Sequence, residues 1–279
     1  MNPLGWPRWD RRSLAAVLVL VCALTAASCN KLKARDMLNK GVQAYKNGLF
    51  DAAIEDFQQA KELDPGLLNA RLYLATAFAS QYIPGAPSKD NLSKASQAID
   101  EFQQVLQMDP KNLSAIDGIG SILYSMAATP FTPAKFEESK SYHLKHIAQK
   151  PDDPEPYYWV GVIDWTLAFR ANSDIRAAYN NNNPRKQVHD DQPLPTKERE
   201  EYAAKYGDTV EDGIKQLQKA IELRPDYEDA MAYLNLLYRR KADQVASPQE
   251  REALLKEADE LVEKVKEIRQ KKSEAPARS

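Results

Sequence analysis

Two stretches of this chain say nearly the same thing. "FDAAIEDFQQAKELDPGL" at 50–67 returns in blurred form as "ASQAIDEFQQVLQMDPKNL" at 95–113. Both are amphipathic, helix-forming runs that stop at Asp-Pro. The stop is physical, because Pro lacks an N–H and disfavours helix at the residue before it. Two further prolines close similar runs, so Pro65, Pro110, Pro151 and Pro225 mark four copies spaced 45, 41 and 74 residues apart. Five residues before each Pro stand Ala60, Val105, His146 and Ala220. Eight before stand Phe57, Phe102, His143 and Leu217, and twelve before stand Ala53, Ala98, Ser139 and Gly213. Spacings of three and four place these on one helix face, with small residues where a second helix must come close.

Each run has an upstream partner. "MLNKGVQAYKNGLF" precedes the first, with Gly41 for close approach and Gly48 at the turn. "LYLATAFAS", "IDGIGSILYSM" and "YYWVGVIDWTLAF" precede the others, with Ala75, Gly120 and Gly161 in the place of Gly41. This pattern resembles the tetratricopeptide repeat (TPR), a helix–turn–helix unit of about 34 residues. The resemblance covers most of residues 34–272. It implies an all-α chain, a TPR-type α-α superhelix of about five units whose stacked copies bury a continuous core and offer a concave surface.

The copies are unevenly spaced because loops absorb insertions. "YIPGAPSKDNLS" and "ATPFTPAK" widen the second and third units, and an insert at 170–208 widens the fourth. In that insert the Asn run and Pro193/Pro195 read as loop and "TKEREEYAAKY" as an extra helical piece. Asp208 with Glu211 reads as a capping box starting the next helix. The fifth unit begins at Glu228. Its second helix, 248–272, starts at Ser247-Pro248-Gln249-Glu250, a cap followed by Pro. Leu254, Ala258, Leu261, Val265 and Ile268 form a narrow stripe on it, read as an end cap with a homodimer seam as the alternative. Residues 273–279 read as a disordered tail.

The N-terminus is a separate device. Arg8, Arg11 and Arg12 precede an apolar run of about fifteen residues, shorter than the roughly 20 that span a bilayer, so 1–28 reads as a signal peptide. Arg11-Arg12 also resembles a twin-arginine signal; a plain basic region is the simpler reading. Ala26-Ala27-Ser28-Cys29 resembles a bacterial lipobox, which implies lipidation of Cys29, with 29–33 as a short tether. A plain cleaved signal and an uncleaved anchor are the alternatives. Cys22 follows a Val too large for the processing slot. With cleavage before Cys29 no other thiol remains, which leaves no disulfide framework.

Chemistry is sparse. A net charge of −2 over 279 residues gives no basic field for nucleic acid. No phosphate-binding glycine loop is present, and "GIGS" at 118–121 reads as helix packing. His143, His146 and His189 are the only histidines. They carry the one reading toward an enzyme or a metal carrier, yet His143 and His146 stand where other copies have Phe and Ala. Neither catalysis nor a cofactor is implied.

The resemblance also implies where a partner would lie, along the first helix of each unit. The family's contact slots fall on Arg35, Leu38, Val42 and Tyr45; on Asn69, Leu72, Thr76 and Ala79; on Ser114, Asp117, Ser121 and Tyr124; on Glu155, Tyr158, Val162 and Trp165; and on Asp229, Ala232, Leu236 and Arg239. The Asn expected in a carboxylate-gripping version is replaced by Val42 and Ala79. The candidate contacts are Tyr45, Asn69, Thr76, Asp117, Ser121, Tyr124, Tyr158, Trp165 and Arg239, with packing between units as the plainer role of Tyr124 and Trp165. The expected function is a membrane-tethered, non-catalytic scaffold of the bacterial envelope that binds a protein or peptide. A structural oligomer subunit is a further alternative.

Overall fold

The computed structural model describes the backbone of residues 11–274 and the side chains of 29–274. The expected signal segment therefore lies outside the residues described at side-chain level, and residues 275–279 of the expected tail lie outside altogether. Ten helices are described: α1 (Arg11–Lys46), α2 (Phe50–Leu63), α3 (Leu68–Gln81), α4 (Lys89–Met108), α5 (Leu113–Ala128), α6 (Pro133–Gln149), α7 (Pro154–Asn182), α8 (Thr196–Leu223), α9 (Glu228–Ala242) and α10 (Pro248–Glu274). Among the described residues none of them is long and apolar enough to cross a membrane. The chain forms two compact units, residues 1–118 and 119–279, divided within α5.

The stop before Pro works the same way each time. Asp64, Asp109, Lys150 and Arg224, the residues before the four prolines, take φ between −133° and −141° and ψ between 75° and 92°. Each still donates its N–H to the carbonyl five residues before the Pro: Ala60, Val105, His146 and Ala220, at 2.8–3.0 Å. The helix is closed by its last bond and turned out by the residue the Pro forbids from continuing it.

Small residues let helices meet where the repeat requires it. A Cβ on Gly41 would lie 2.5 Å from the Phe57 ring, and one on Gly161 would lie 2.4 Å from Leu217 Cγ. The "GIGS" glycines serve packing too, Gly118 against Phe102 and Gly120 against His143. In the first unit α1 packs on α2 and α3, and α3 on α4; in the second, α7 packs on α6, α8 and α9, and α9 on α10. The repeat positions are buried: Ala53, Phe57, Ala98 and Phe102 in one unit, Leu217 and Ala220 in the other, where Ser139, His143 and His146 put polar groups in the corresponding places.

In the 170–208 insert, "TKEREEYAAKY" is helical as the sequence suggests, whereas the Asn run expected as loop is helical through Asn182. Most of the insert lengthens two helices, α7 through Asn182 and α8 from Thr196, and only 183–195 is loop. Asp208 starts no helix, because α8 runs through Gly207 and Asp208 without a break. The reason is Tyr202, fully buried with its hydroxyl donating to the Ala168 carbonyl, which docks the added turns onto α7. A buried polar cluster holds the remaining loop. Arg176 donates to Asp243 Oδ1 (2.9 Å), Asn172 Oδ1 (2.9 Å) and the His189 carbonyl (2.8 Å), while Asn172 Nδ2 donates to Asp243 Oδ2 (3.2 Å). At the C-terminus Ser247 Oγ accepts from Glu250 N at the start of α10, and Leu254, Ala258 and Val265 of the stripe are buried. α10 continues through Ser273 and Glu274, two residues the sequence had left to the tail, and Gln270 Nε2 bonds Glu274 there.

Candidate partner-binding site

In the unit of residues 1–118, a cleft of about 370 Å³ opens among Val42, Tyr45, Lys46, Phe57, Leu72, Tyr73, Thr76 and Ser114. Five of these (Val42, Tyr45, Leu72, Thr76 and Ser114) are contact slots that the repeat resemblance picks out. Val42 and Tyr45 on α1 meet Leu72 and Thr76 on α3 because these are successive first helices on which positions three and four apart share a face, and Ser114 joins them from the start of α5. Phe57 and Tyr73 form the aromatic wall, their ring centroids 5.8 Å apart. Tyr45 is held from both sides. Its ring meets Phe50 edge-on at 5.3 Å, and its hydroxyl lies 2.7 Å from Ser80 Oγ. Ser80 donates its own proton to the Thr76 carbonyl, so Tyr45 is the donor in that pair. The result is a preformed, mostly apolar cleft with one cation, Lys46, on its lining. Such a cleft suits apolar side chains of an extended segment. Asn69 is exposed on the first turn of α3 and does not line it.

In the unit of residues 119–279 the aromatic slots join a different structure. Tyr124 meets Phe136 at 5.4 Å and Trp159 at 5.5 Å. Tyr158 meets Trp159, Tyr227 and Tyr233 at 5.4, 5.1 and 5.8 Å. Tyr233 also stands edge-on to Trp165 at 5.1 Å, and Trp165 stacks on the exposed Phe169 at 5.2 Å. Tyr124, Tyr158 and Trp165 are thus half-buried in one chain of rings, packing and presenting a face at once. Val162, by contrast, is 1 % exposed and is no contact, because it points into the core between α7 and its neighbours. Arg239 is held by Asn235 and Asp259. Ser121 is exposed and Asp117 half-buried on α5.

The sequence missed Tyr73, Trp159 and Tyr233. Tyr73, Trp159 and Tyr233 each adjoin a family slot, namely Leu72, Tyr158 and Ala232. A search for aromatics flanking the slots finds all three.

The three histidines do not converge. His143 is 1 % exposed on α6, stacked on Trp159 at 5.9 Å, and burial holds its imidazole down at about 4. His146 faces Asp153 at 3.7 Å. His189 sits in the 183–195 loop, where its backbone is what Arg176 and Gln192 bind. Among the described residues no group of three or more His, Cys, Asp or Glu is placed to hold a metal. Cys29 is exposed.

No protein-family model and no curated protein sequence matches the chain. Solved structures do. MamA 41-end from Desulfovibrio magneticus RS-1 superposes at a TM-score of 0.55 with 18 % identity, over 86 % of this chain and 96 % of that one. A MamA RS-1 double mutant gives 0.57 with 17 % identity, over 87 % and 98 %. YrrB, described as a TPR protein with an unusual peptide-binding site, gives 0.51 with 13 % identity, over 90 % and 97 %. The chain has the tetratricopeptide-repeat fold. At these identities the likeness speaks for the fold, and the five pairs α1/α2, α3/α4, α5/α6, α7/α8 and α9/α10 are its repeats.

Proposed function

We propose that this chain is a non-catalytic scaffold, exported and lipid-anchored in a bacterial cell envelope, that holds an extended segment of a partner protein in the α1/α3 cleft. One observation carries the reading: five of the contact slots that the repeat resemblance picks out, Tyr45 and Thr76 among them, line one preformed cleft. Val42, Leu72, Phe57 and Tyr73 offer it apolar walls, and Tyr45 is braced in place, so little ordering cost falls on the protein when a ligand enters. YrrB, of the same fold, is described with a peptide-binding site. The lipobox-like Ala26-Ala27-Ser28-Cys29 supports the anchor, and the signal segment before it supports export.

The test is partner recovery from native membranes with Tyr45→Ala and, separately, Thr76→Arg, which fills the cleft with a long cation. Truncating a buried aromatic anchor commonly costs about 2 kcal/mol or more, roughly a thirtyfold loss of affinity. Both variants are expected to lose the partner while circular dichroism and melting stay near wild type. Undiminished recovery by folded Thr76→Arg would place the partner elsewhere.

A further inference from the structure

The aromatic face of the second unit has a charge pattern of its own. Three of its rings already carry a cation from this chain: Arg224 over Tyr227 at 4.2 Å, Arg240 over Phe169 at 5.9 Å, and Arg170 over Phe131 at 5.4 Å. The first is the most complete. Glu155 clasps Arg224 Nη1 at 2.8 Å and accepts from the Tyr227 hydroxyl at 2.7 Å, so a guanidinium, a ring and a carboxylate close on one another. Tyr158, whose ring is 5.1 Å from that of Tyr227, and Tyr233, 5.8 Å from Tyr158, repeat the aromatic part. Asp229 supplies the carboxylate: it lies on α9 four residues before Tyr233, on the same helix face. It is exposed, and among the described residues no cation completes this second set as Arg224 completes the first.

We propose that Tyr158, Tyr233 and Asp229 form a receptor for a cationic side chain, Lys or Arg, carried by a basic segment of a partner protein. A ring face attracts a cation through its quadrupole, and the attraction grows where the site is partly desolvated, as these half-buried rings are. Asp229 adds a formal opposite charge at the rim. The surroundings agree in sign. The Tyr158 hydroxyl is held far above the ordinary phenol range, first by burial and then by Tyr233, Asp229, Tyr124 and Glu155, and the Tyr233 hydroxyl is raised by burial, Tyr124 and Asp229. Burial disfavours a charge of either sign, so it is the contribution of Asp229 to both shifts that agrees with a cation. An acidic segment would meet Asp229 with repulsion, so charge sign is the specificity. That a protein bears the cation follows from the scaffold reading; the chemistry of the site does not depend on it.

The probe is a labelled, end-blocked peptide alternating glycine and arginine, titrated by fluorescence anisotropy against the full chain in detergent. A glycine–glutamate peptide is the counter-probe. The basic peptide is expected to bind and the acidic one not. Asp229→Asn and Tyr233→Leu are each expected to weaken binding roughly two- to fivefold. Glu263→Gln removes the same charge from the exposed side of α10 and is expected to change nothing. Equal binding of both peptides, wild-type affinity in folded Asp229→Asn, or an equal loss in Glu263→Gln would overturn the proposal. Loss of the native partner in Tyr45→Ala beside an inert Asp229→Asn would sink this site and leave the α1/α3 cleft standing. The reverse pattern would sink the cleft and leave this site.

Discussion

His143 and Asp164 are held against their ordinary protonation in opposite directions, and their pH effects oppose each other. His143 is buried among α6, α7 and α5, where desolvation and the nearby His146 lower it to about 4. Its folded value lies below its unfolded one, so it contributes stability that is present above about 6.5 and is lost as pH falls toward 4. Asp164, fully buried on α7, is raised to about 7 by desolvation, although Lys140 bonds it at 2.6 Å and opposes the shift. There the folded state binds the proton more tightly, so the stability Asp164 contributes is greatest near pH 4 and is lost as pH rises to 7. Melting temperature measured from pH 4 to 8 separates the two. The difference, wild type minus Asp164→Asn, is expected to fall with rising pH up to about 7 and then level. The difference, wild type minus His143→Phe, is expected to rise between about 4 and 6.5. Parallel curves for wild type and both variants would show that neither group is perturbed.

Between helices, two glycines make opposite predictions. Gly161 lies where α7 meets α8, so Gly161→Ala must displace Leu217 and is expected to destabilise by about 1–3 kcal/mol in urea unfolding. Gly207 lies inside α8 with nothing within 4 Å of an added Cβ, so Gly207→Ala is expected to stabilise by roughly 0.5–1 kcal/mol. The insert gives a third expectation. Asp243→Ala leaves Arg176 buried at 3 % exposure without its carboxylate, a loss of about 3–5 kcal/mol, and opens the 183–195 loop to thermolysin. Wild-type stability and protease resistance in that variant would contradict the pinned-loop description. The helix ends were legible because each is written locally, as a Pro with small residues at fixed offsets. The course of the insert was not. Its lock joins Arg176 to Asp243 across 67 residues, and periodicity carries no such pairing. Gly207-Asp208 looked like a start only because the burial of Tyr202 is invisible along the chain.

At the scale of the molecule, the fold was readable because stacking repeats must all solve the same packing problem, and four copies state the solution four times. The candidate cleft was readable in its helical slots, Val42, Tyr45, Leu72 and Thr76. Its aromatic wall was not, since Phe57 belongs to a second helix and Tyr73 to a position beside the slot. The division of the chain within α5 had no sequence signal, for α5 is a continuous helix across it. The proposed membrane attachment rests on Cys29. Two acyl chains hold a protein stably where one is marginal, so Cys29→Ser is expected to yield unprocessed or released protein in membrane fractionation, and normal processing with full retention would refute the anchor. The most direct test of the binding claim is a photo-crosslinking residue placed at Lys46, on the lining of the cleft, in the native membrane, with Lys264 on α10 as the comparison site. A discrete adduct from position 46 that disappears with Tyr45→Ala, and none from position 264, is the result expected of a cleft that holds a partner. No adduct from position 46, or one indifferent to Tyr45→Ala, would contradict it.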